Sequence, residues 1–206
     1  MRNAGKIRTL SPMTDYRSAT RPPRRAPRTP PRARTDARGE AFTTADGRAL
    51  FVRPIRLGDA DALRRGFARL TPEQVRLRTF HRMSELTAAS AERLTRVDPG
   101  TTTALVAVDA DGEIRGEARL HADAVTNAAE FGVAVDPAFT GQGIGRRLMQ
   151  RLLDDARRRG LDEIWGDVLA HNDTMLDFVK ALGAERHPLA DEPGVIRVSL
   201  RTSAAR

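Results

Sequence analysis

The chain has 206 residues, 40% of them hydrophobic, enough for one domain with a buried core. It has no cysteine, which excludes disulfides, thiolate metal sites and a cysteinyl intermediate, and a reduced, cytoplasmic setting is expected. The net charge of +8 lies wholly in Met1–Glu40, where ten Arg and one Lys face Asp15, Asp36 and Glu40, so the remainder is balanced and speaks against nucleic acid as the main partner.

That tail, residues 1–40, is Pro-rich and reads RPPRRAPRTPPRAR from Arg21 to Arg34. Proline breaks helices, Arg repels Arg, and apolar anchors are missing, so the segment is expected to be disordered. Tyr16 is its one aromatic residue, too few to stack bases. An over-long start, with Met13 the true one, is part of the same expectation. No apolar run approaches 18 residues, and the N-terminus lacks a signal-like apolar core, so no membrane span or secretion is expected.

Residues 41–202 are read as the folded domain. Asp46-Gly47 predicts a hairpin between Phe42–Thr44 and Ala49–Arg56, and Pro54 suggests that the second of these strands is an edge. Asp59 or Asp61 caps a helix carrying Leu63, Phe67 and Leu70. Thr71-Pro72-Glu73 starts another, with Pro at the first helical position. Ser84 opens a third, through Leu86 and Leu94 to Val97. Thr102–Val108, Glu113–Ala122 and Ala129–Val135 then read as an antiparallel meander turned at Asp111-Gly112 and at Thr126-Asn127. After a glycine turn, Ile144, Leu148, Leu152 and Ala156 recur at helical spacing up to Gly160. Ile164–Leu169 is a strand with Trp165 packed in the core. Asn172 caps a helix ended by Gly183, and Val195–Leu200 closes the chain as a strand. The pattern is α/β with a mixed sheet.

The glycine turn reads FTGQGIGRRL from Phe139 to Leu148. Gly141, Gly143 and Gly145 bare the backbone where a strand enters a helix, and the first turn of that helix has N–H groups with no partner. Such a turn binds anions, phosphate above all. A Walker loop would need Gly-Lys-Ser/Thr, and no Lys is present. A dinucleotide fingerprint would need glycine where Arg146 stands. A kinase glycine loop would need a hairpin, whereas this turn runs into a helix. A pyrophosphate at the helix N-terminus, with Arg146 and Arg147 nearby, is the reading left.

Those residues, with the strand before them, AEFGVAVDPAFTGQGIGRRLMQRLL, resemble the acyl-CoA-binding motif of the GNAT acetyltransferases, and HNDTMLDFVKALGAE resembles the family's next helix. The family pattern Arg/Gln-x-x-Gly-x-Gly/Ala aligns with Thr140-Gly141-Gln142-Gly143-Ile144-Gly145, with Thr140 departing at the first position. GRALFVRPIRLGDADALRRGFARLTPEQVRLRTFHRMSEL resembles the acetyltransferase domain of bacterial protein lysine acetyltransferases. The resemblance covers about Phe42 to Leu200. It implies the GNAT fold, α/β of the α+β kind, with a mostly antiparallel central sheet splayed at the acyl-CoA site and flanked by helices. It also implies acetyl-CoA as co-substrate and a primary amine, a protein lysine or a small-molecule amine, as acceptor.

By the same resemblance, the backbone from Gly141 through Gln142, Gly143, Ile144 and Gly145 to Arg146, with Thr140, holds the pyrophosphate. Val133 and Val135 receive the pantetheine arm by strand addition, and Asn172 contacts it near the thiol. Glu130 is the candidate general base, opposite in facing to Phe131, Val133 and Val135, with room left by Gly132 and Ala134. Glu117 on the neighbouring strand is the second candidate. Many relatives place a thiolate-protonating Tyr seven residues after the Asn; here Val179 stands there, after Phe178, so water is expected to serve. Arg76, Arg78, His81 and Arg82 fall where the family builds its acceptor site. His81, His121, His171 and His187 show no ligand spacing, so no metal is expected. Ligand regulation is not expected either, because no nucleotide-binding or acyl-CoA-synthetase domain accompanies the fold. A non-catalytic acyl-CoA-binding module and a tail-borne nucleic-acid binder are the alternatives, and the oligomeric state, monomer or homodimer, stays open.

Overall fold

The computed structural model describes residues 39–123 and 125–202; the expected disorder of the tail lies outside the described residues up to residue 38, and at its end it needs correction, because Glu40 already pairs with Val52 in a strand. In chain order the elements are β1 (Glu40–Thr43), β2 (Ala49–Pro54), α1 (Ala60–Ala68), α2 (Pro72–Thr79), α3 (Ala88–Thr95), β3 (Thr102–Val108), β4 (Ile114–Asp123), β5 (Ala128–Val135), α4 (Ile144–Arg158), β6 (Glu163–Leu169), α5 (Asp173–Ala181), β7 (Glu185–Pro188) and β8 (Val195–Arg201). The strands form one sheet in the order β1-β2-β3-β4-β5-β6-β8-β7. Every pairing is antiparallel except β5 with β6. A parallel pair needs a crossover, and α4 supplies it.

Local chemistry sets the turns and helix ends. Gly47 takes φ +88° in the β1–β2 hairpin, and Gly112 takes φ +77° between β3 and β4. α4 ends with Gly160 N–H donating to the Arg157 carbonyl and Leu161 N–H to that of Ala156, a Schellman closure sealed by buried Leu161. α5 ends the same way around Gly183. Thr71 and Gln74 form a capping box at the start of α2.

Each face of the sheet carries its own core. On one, α4 and α5 bury Ile144, Leu148, Met149, Leu152, Leu176 and Val179 against alternate residues of the strands, among them Leu105, Ala118, Leu120, Phe131 and Ile164. On the other, α1 and α3 bury Leu63 and Ala91 against Ala104, Val106 and Ile114. This second core stops at β4. Beyond it, the same face of β4, β5 and β6 carries Glu117, Arg119, His121, Glu130, Trp165 and Asp167, none of them buried.

Four further expectations need correction. β2 pairs on both sides, so Pro54 sits at the end of an interior strand, and the edge is β1. α3 begins at Ala88 rather than Ser84, because Thr87 is the residue whose side chain caps it, accepting from Ser90 N–H. Asp59 stands at the cap position of α1, but its carboxylate takes the Arg53 guanidinium and Arg56 N–H instead. Trp165 is half-buried on the polar face, with the Arg197 guanidinium 4.0 Å from its ring centroid. β7 escapes the sequence reading because all four of its residues are exposed and carry no alternation.

Candidate active site

β4 and β5 pair over eight residues, from Gly116–Val135 to Asp123–Ala128. β5 and β6 pair over three, Ala128–Glu163, Ala129–Ile164 and Glu130–Trp165. Both strands run on, β5 to Val135 and β6 to Leu169, without rejoining. They part at Phe131, whose ring and carbonyl lie where a side chain on Gly166 would stand: a Cβ there would come within 3.1 Å of the Phe131 oxygen. One edge of β5 beyond Phe131 thus offers unpaired backbone, Val133 and Val135 included, to an extended ligand.

The open edge leads straight into the glycine turn. Asp136 anchors it: Arg69 and Arg115 donate to its carboxylate at 2.8 and 3.0 Å, and Ala138 N–H at 3.0 Å. Burial pushes the Asp136 carboxyl up, but the bonds from Arg115, Ala138 and Arg69 outweigh it and hold it below the ordinary value. Gly141 and Gly143 then take φ +77° and +86°, and Gly143 is the N-cap of α4. The N–H groups of Ile144, Gly145 and Arg146 fall in the first helical turn, with no carbonyl ahead of them. Ile144 is itself core, so only its backbone faces outward. A Cβ on Gly145 would stand in ordinary contact with Phe178 and Val135, 3.5 and 3.7 Å away. Thr140 and Arg146 are exposed. Gln142 is committed elsewhere: its N–H donates to the Phe139 carbonyl, and its own backbone and side-chain oxygens accept from Ala45 and Asp46 of the hairpin. Arg146 and Arg147 both line a hollow of about 390 Å³ with Phe42, Gly143 and Gln150, and Arg147 is tied to Glu40 at 2.5 Å.

Glu130 stands at the fork, on the polar face. Its side chain reaches solvent, yet burial by the surrounding walls pushes its carboxyl above the ordinary value, and the Asp167 charge adds to this against Arg78, His121 and Arg197. Glu117 is spoken for by Arg119. The room expected beside Gly132 is filled: the Arg78 guanidinium from α2 lies 2.5–2.7 Å from where a Gly132 Cβ would be. Arg76 reaches across the fork to His171 Nε2 at 2.5 Å, so α2 and the loop before Asn172 wall the same opening. The Asn172 side-chain oxygen accepts from Met175 N–H, and its NH2 group remains for a ligand.

An open strand edge thus runs into a turn whose helix N-terminal amides lack partners. The model of the Acetyltransferase (GNAT) family matches residues 65–184. The chain belongs to this family. A Pseudomonas aeruginosa acetyltransferase is 33% identical over 141 residues, which are 67% of this chain and 76% of that one. A ribosomal-protein alanine N-acetyltransferase of Escherichia coli is 38% identical over 56 residues, 27% of this chain and 38% of its own. The crystal structure of the GNAT domain of S. lividans PAT superposes with a TM-score of 0.73 at 26% identity, over 79% of this chain and 96% of that one. The chain is thus an N-acetyltransferase with acetyl-CoA as co-substrate.

Val179, at the position where a thiolate-protonating Tyr was sought, has an aliphatic side chain with no acidic proton and is wholly buried. Among the described residues no cluster of His, Asp or Glu suits a metal ion, and no helix is long and apolar enough to cross a membrane. The structure brings Glu130, Val133, Val135, the glycine turn and Asn172 around one opening. Arg119, Asp167 and Arg197 also belong to it and were not singled out in the sequence. They arrive through register, Arg119 opposite Gly132 and Asp167 opposite Arg197, and the alternation Trp165, Asp167 along β6 was the available signal.

Proposed function

We propose that the protein acetylates a lysine side chain of another protein, with Glu130 as the general base. The observation that carries the proposal is the position of Glu130 where β5 and β6 part, with its carboxyl raised above the ordinary value. Acetyl-CoA, when bound, supplies the acetyl group as a thioester. The amides of Gly141, Gly143, Ile144, Gly145 and Arg146, with Thr140 beside them, hold its pyrophosphate. Gln142 contributes by fixing the turn to the hairpin. The backbone of Val133 and Val135 takes the pantetheine amides, and Asn172 NH2 bonds the arm near the sulfur.

The acceptor arrives as an ammonium with a pKa near 10.4, and freeing its amine at pH 7 costs about 4.6 kcal/mol. Glu130 takes that proton through water, and a raised carboxyl pKa makes it a better base for the task. The amine then attacks directly, since no cysteine is present. Water protonates the departing thiolate. A protein acceptor suits the openness of the site: Glu130 is exposed, whereas small molecules are generally held in enclosed pockets.

The test is CoA release over a panel of lysine peptides and small amines, with Glu130→Gln beside the wild type. The variant should lose about 10²–10⁴-fold in kcat/KM and bind CoA as before. Equal rates would remove Glu130 from its role. Turnover of free small amines alone would replace the protein acceptor, and CoA binding without turnover of any amine would leave a binding module.

A further inference from the structure

Two arginines flank Gly132, Arg78 from α2 and Arg119 across the β4–β5 register, and neither guanidinium has a full set of partners. The Arg78 guanidinium occupies the space a Gly132 side chain would take, and no ion pair or hydrogen bond ties it down among the described residues. Arg119, opposite Gly132 in the β4–β5 register, points to the same face. Its Nε donates to Glu117, while its Nη2 is buried with no hydrogen-bond partner. Its side chain is only 12% exposed, so an unmet donor there is costly. Asp167 is engaged by Arg197 in a two-pronged pair. Glu130 is more than an ion-pair distance from Arg78, and His121 is turned to the Thr102 hydroxyl. Glu130 acts on Arg78 only as a nearby charge and Glu117 meets only the Nε of Arg119, so the donors left over beside Gly132 suit an anion.

We infer that Arg78 and Arg119 seat a carboxylate of the acceptor, so that the preferred lysine has an Asp or Glu two residues away. The inference rests on the acetyl-transfer reading above and adds the acceptor's sequence requirement. The spacing follows from strand geometry. Glu130 and Gly132 lie on one face, two residues or about 6.8 Å apart. An extended peptide likewise puts side chains i and i+2 on one face at about 6.8 Å. A lysine presented to Glu130 by a peptide extended along β5 therefore places the side chain two residues away, before or after it according to the peptide's direction, over Gly132. A planar carboxylate matches the edge that a guanidinium offers. Adjacent residues would face the opposite way, so an acid next to the lysine does not satisfy the pair.

The experiment compares peptides blocked at both termini, Lys-Ala-Glu with Lys-Ala-Gln and, for the opposite chain direction, Glu-Ala-Lys with Gln-Ala-Lys, by CoA release and by calorimetry of their acetyl-lysine forms with CoA-saturated protein; the effects below are expected in the pair whose direction fits. The Glu peptide should exceed the Gln peptide about ten-fold or more in kcat/KM and in product affinity. Arg78→Gln should bring both ratios near one, through KM. Arg78→Lys should keep part of the preference, which separates charge from mere support of the wall. Equal binding of the Glu and Gln peptides in both acetylated pairs by wild type overturns the carboxylate seat, with no variant needed. A Glu preference in binding with no turnover of either peptide keeps the seat and removes the acetyl-transfer reading. A preference that survives Arg78→Gln intact also overturns the assignment.

Discussion

The two edges of β5 have different neighbours and different work. Toward β4 the strand is paired for eight residues, and its inward side chains join a core in which Leu120, Leu148 and Ile164 are almost wholly buried. Toward β6 it is paired for three and then stands open beside the glycine turn. One strand thus closes the core with one edge and leaves backbone free with the other. Stability and ligand binding are separable along its length, and substitutions on the two sides should report different quantities.

The largest effect is expected on the closed side. Leu120 of β4 pairs with Phe131 and is 1% exposed. Leu120→Ala removes core contacts and leaves a cavity, and should lower unfolding stability by about 2–5 kcal/mol. Denaturant titration would read it. CoA affinity, measured by calorimetry where the variant is still folded, should stay within a few-fold of wild type. A collapse of affinity with stability intact would show that the two edges do not divide the work.

A smaller effect is expected on the open side. Gly143 takes φ +86° at the N-cap of α4. An alanine there carries a left-handed penalty of about 1–2 kcal/mol. Any relaxation away from that conformation turns the amides of the turn off their target. Gly143→Ala should therefore weaken CoA binding about ten-fold or more, given 1.4 kcal/mol per decade. Gly160→Ala is the matched control, since Gly160, at the other end of α4, has φ +69° and nothing within 4 Å of a Cβ. It should lose comparable stability and no CoA affinity. Equal losses of affinity in both variants would mean that the turn is read through global stability alone.

The closed edge was the more legible of the two. Thr102–Val108 is an apolar run fenced by Pro99-Gly100 and Asp111-Gly112, and β3 has those bounds. The apolar residues of α4 recur at helical spacing and are buried as the period requires. The glycine turn was legible too, because positive φ leaves few residue types to choose from. The fork itself was not written in local pattern. Nothing in AEFGVAV distinguishes a strand paired on both edges from one that parts at Phe131, and the splay was expected only from family resemblance. Arg78 on Gly132 joins residues far apart in the chain, and a sequence window sees only a helical Arg and a strand Gly. Ser84 and Thr87 are both capping types, and spacing alone did not choose between them.

The smallest expected effect is the most discriminating. A Cβ on Gly132 would stand 2.5 Å from the Arg78 guanidinium. The obstacle is the far end of a flexible side chain, and no strained φ bars a side chain on Gly132. Gly132→Ala should fold with stability within about 0.5 kcal/mol of wild type while moving Arg78 off the strand. The Arg78 charge favours ionised Glu130, opposing burial and Asp167, which raise the carboxyl. With Arg78 displaced, the protonated acid is favoured further and its pKa rises. The base must be ionised to work, so the acid limb of the kcat/KM–pH profile should move to higher pH, with the plateau above it retained for acceptors that lack a carboxylate. In Glu130→Gln that limb should be missing, and adding Gly132→Ala should move nothing. A limb that stays in place in Gly132→Ala would mean that Arg78 does not act on Glu130, and a limb that survives in Glu130→Gln would give the base's role to another group.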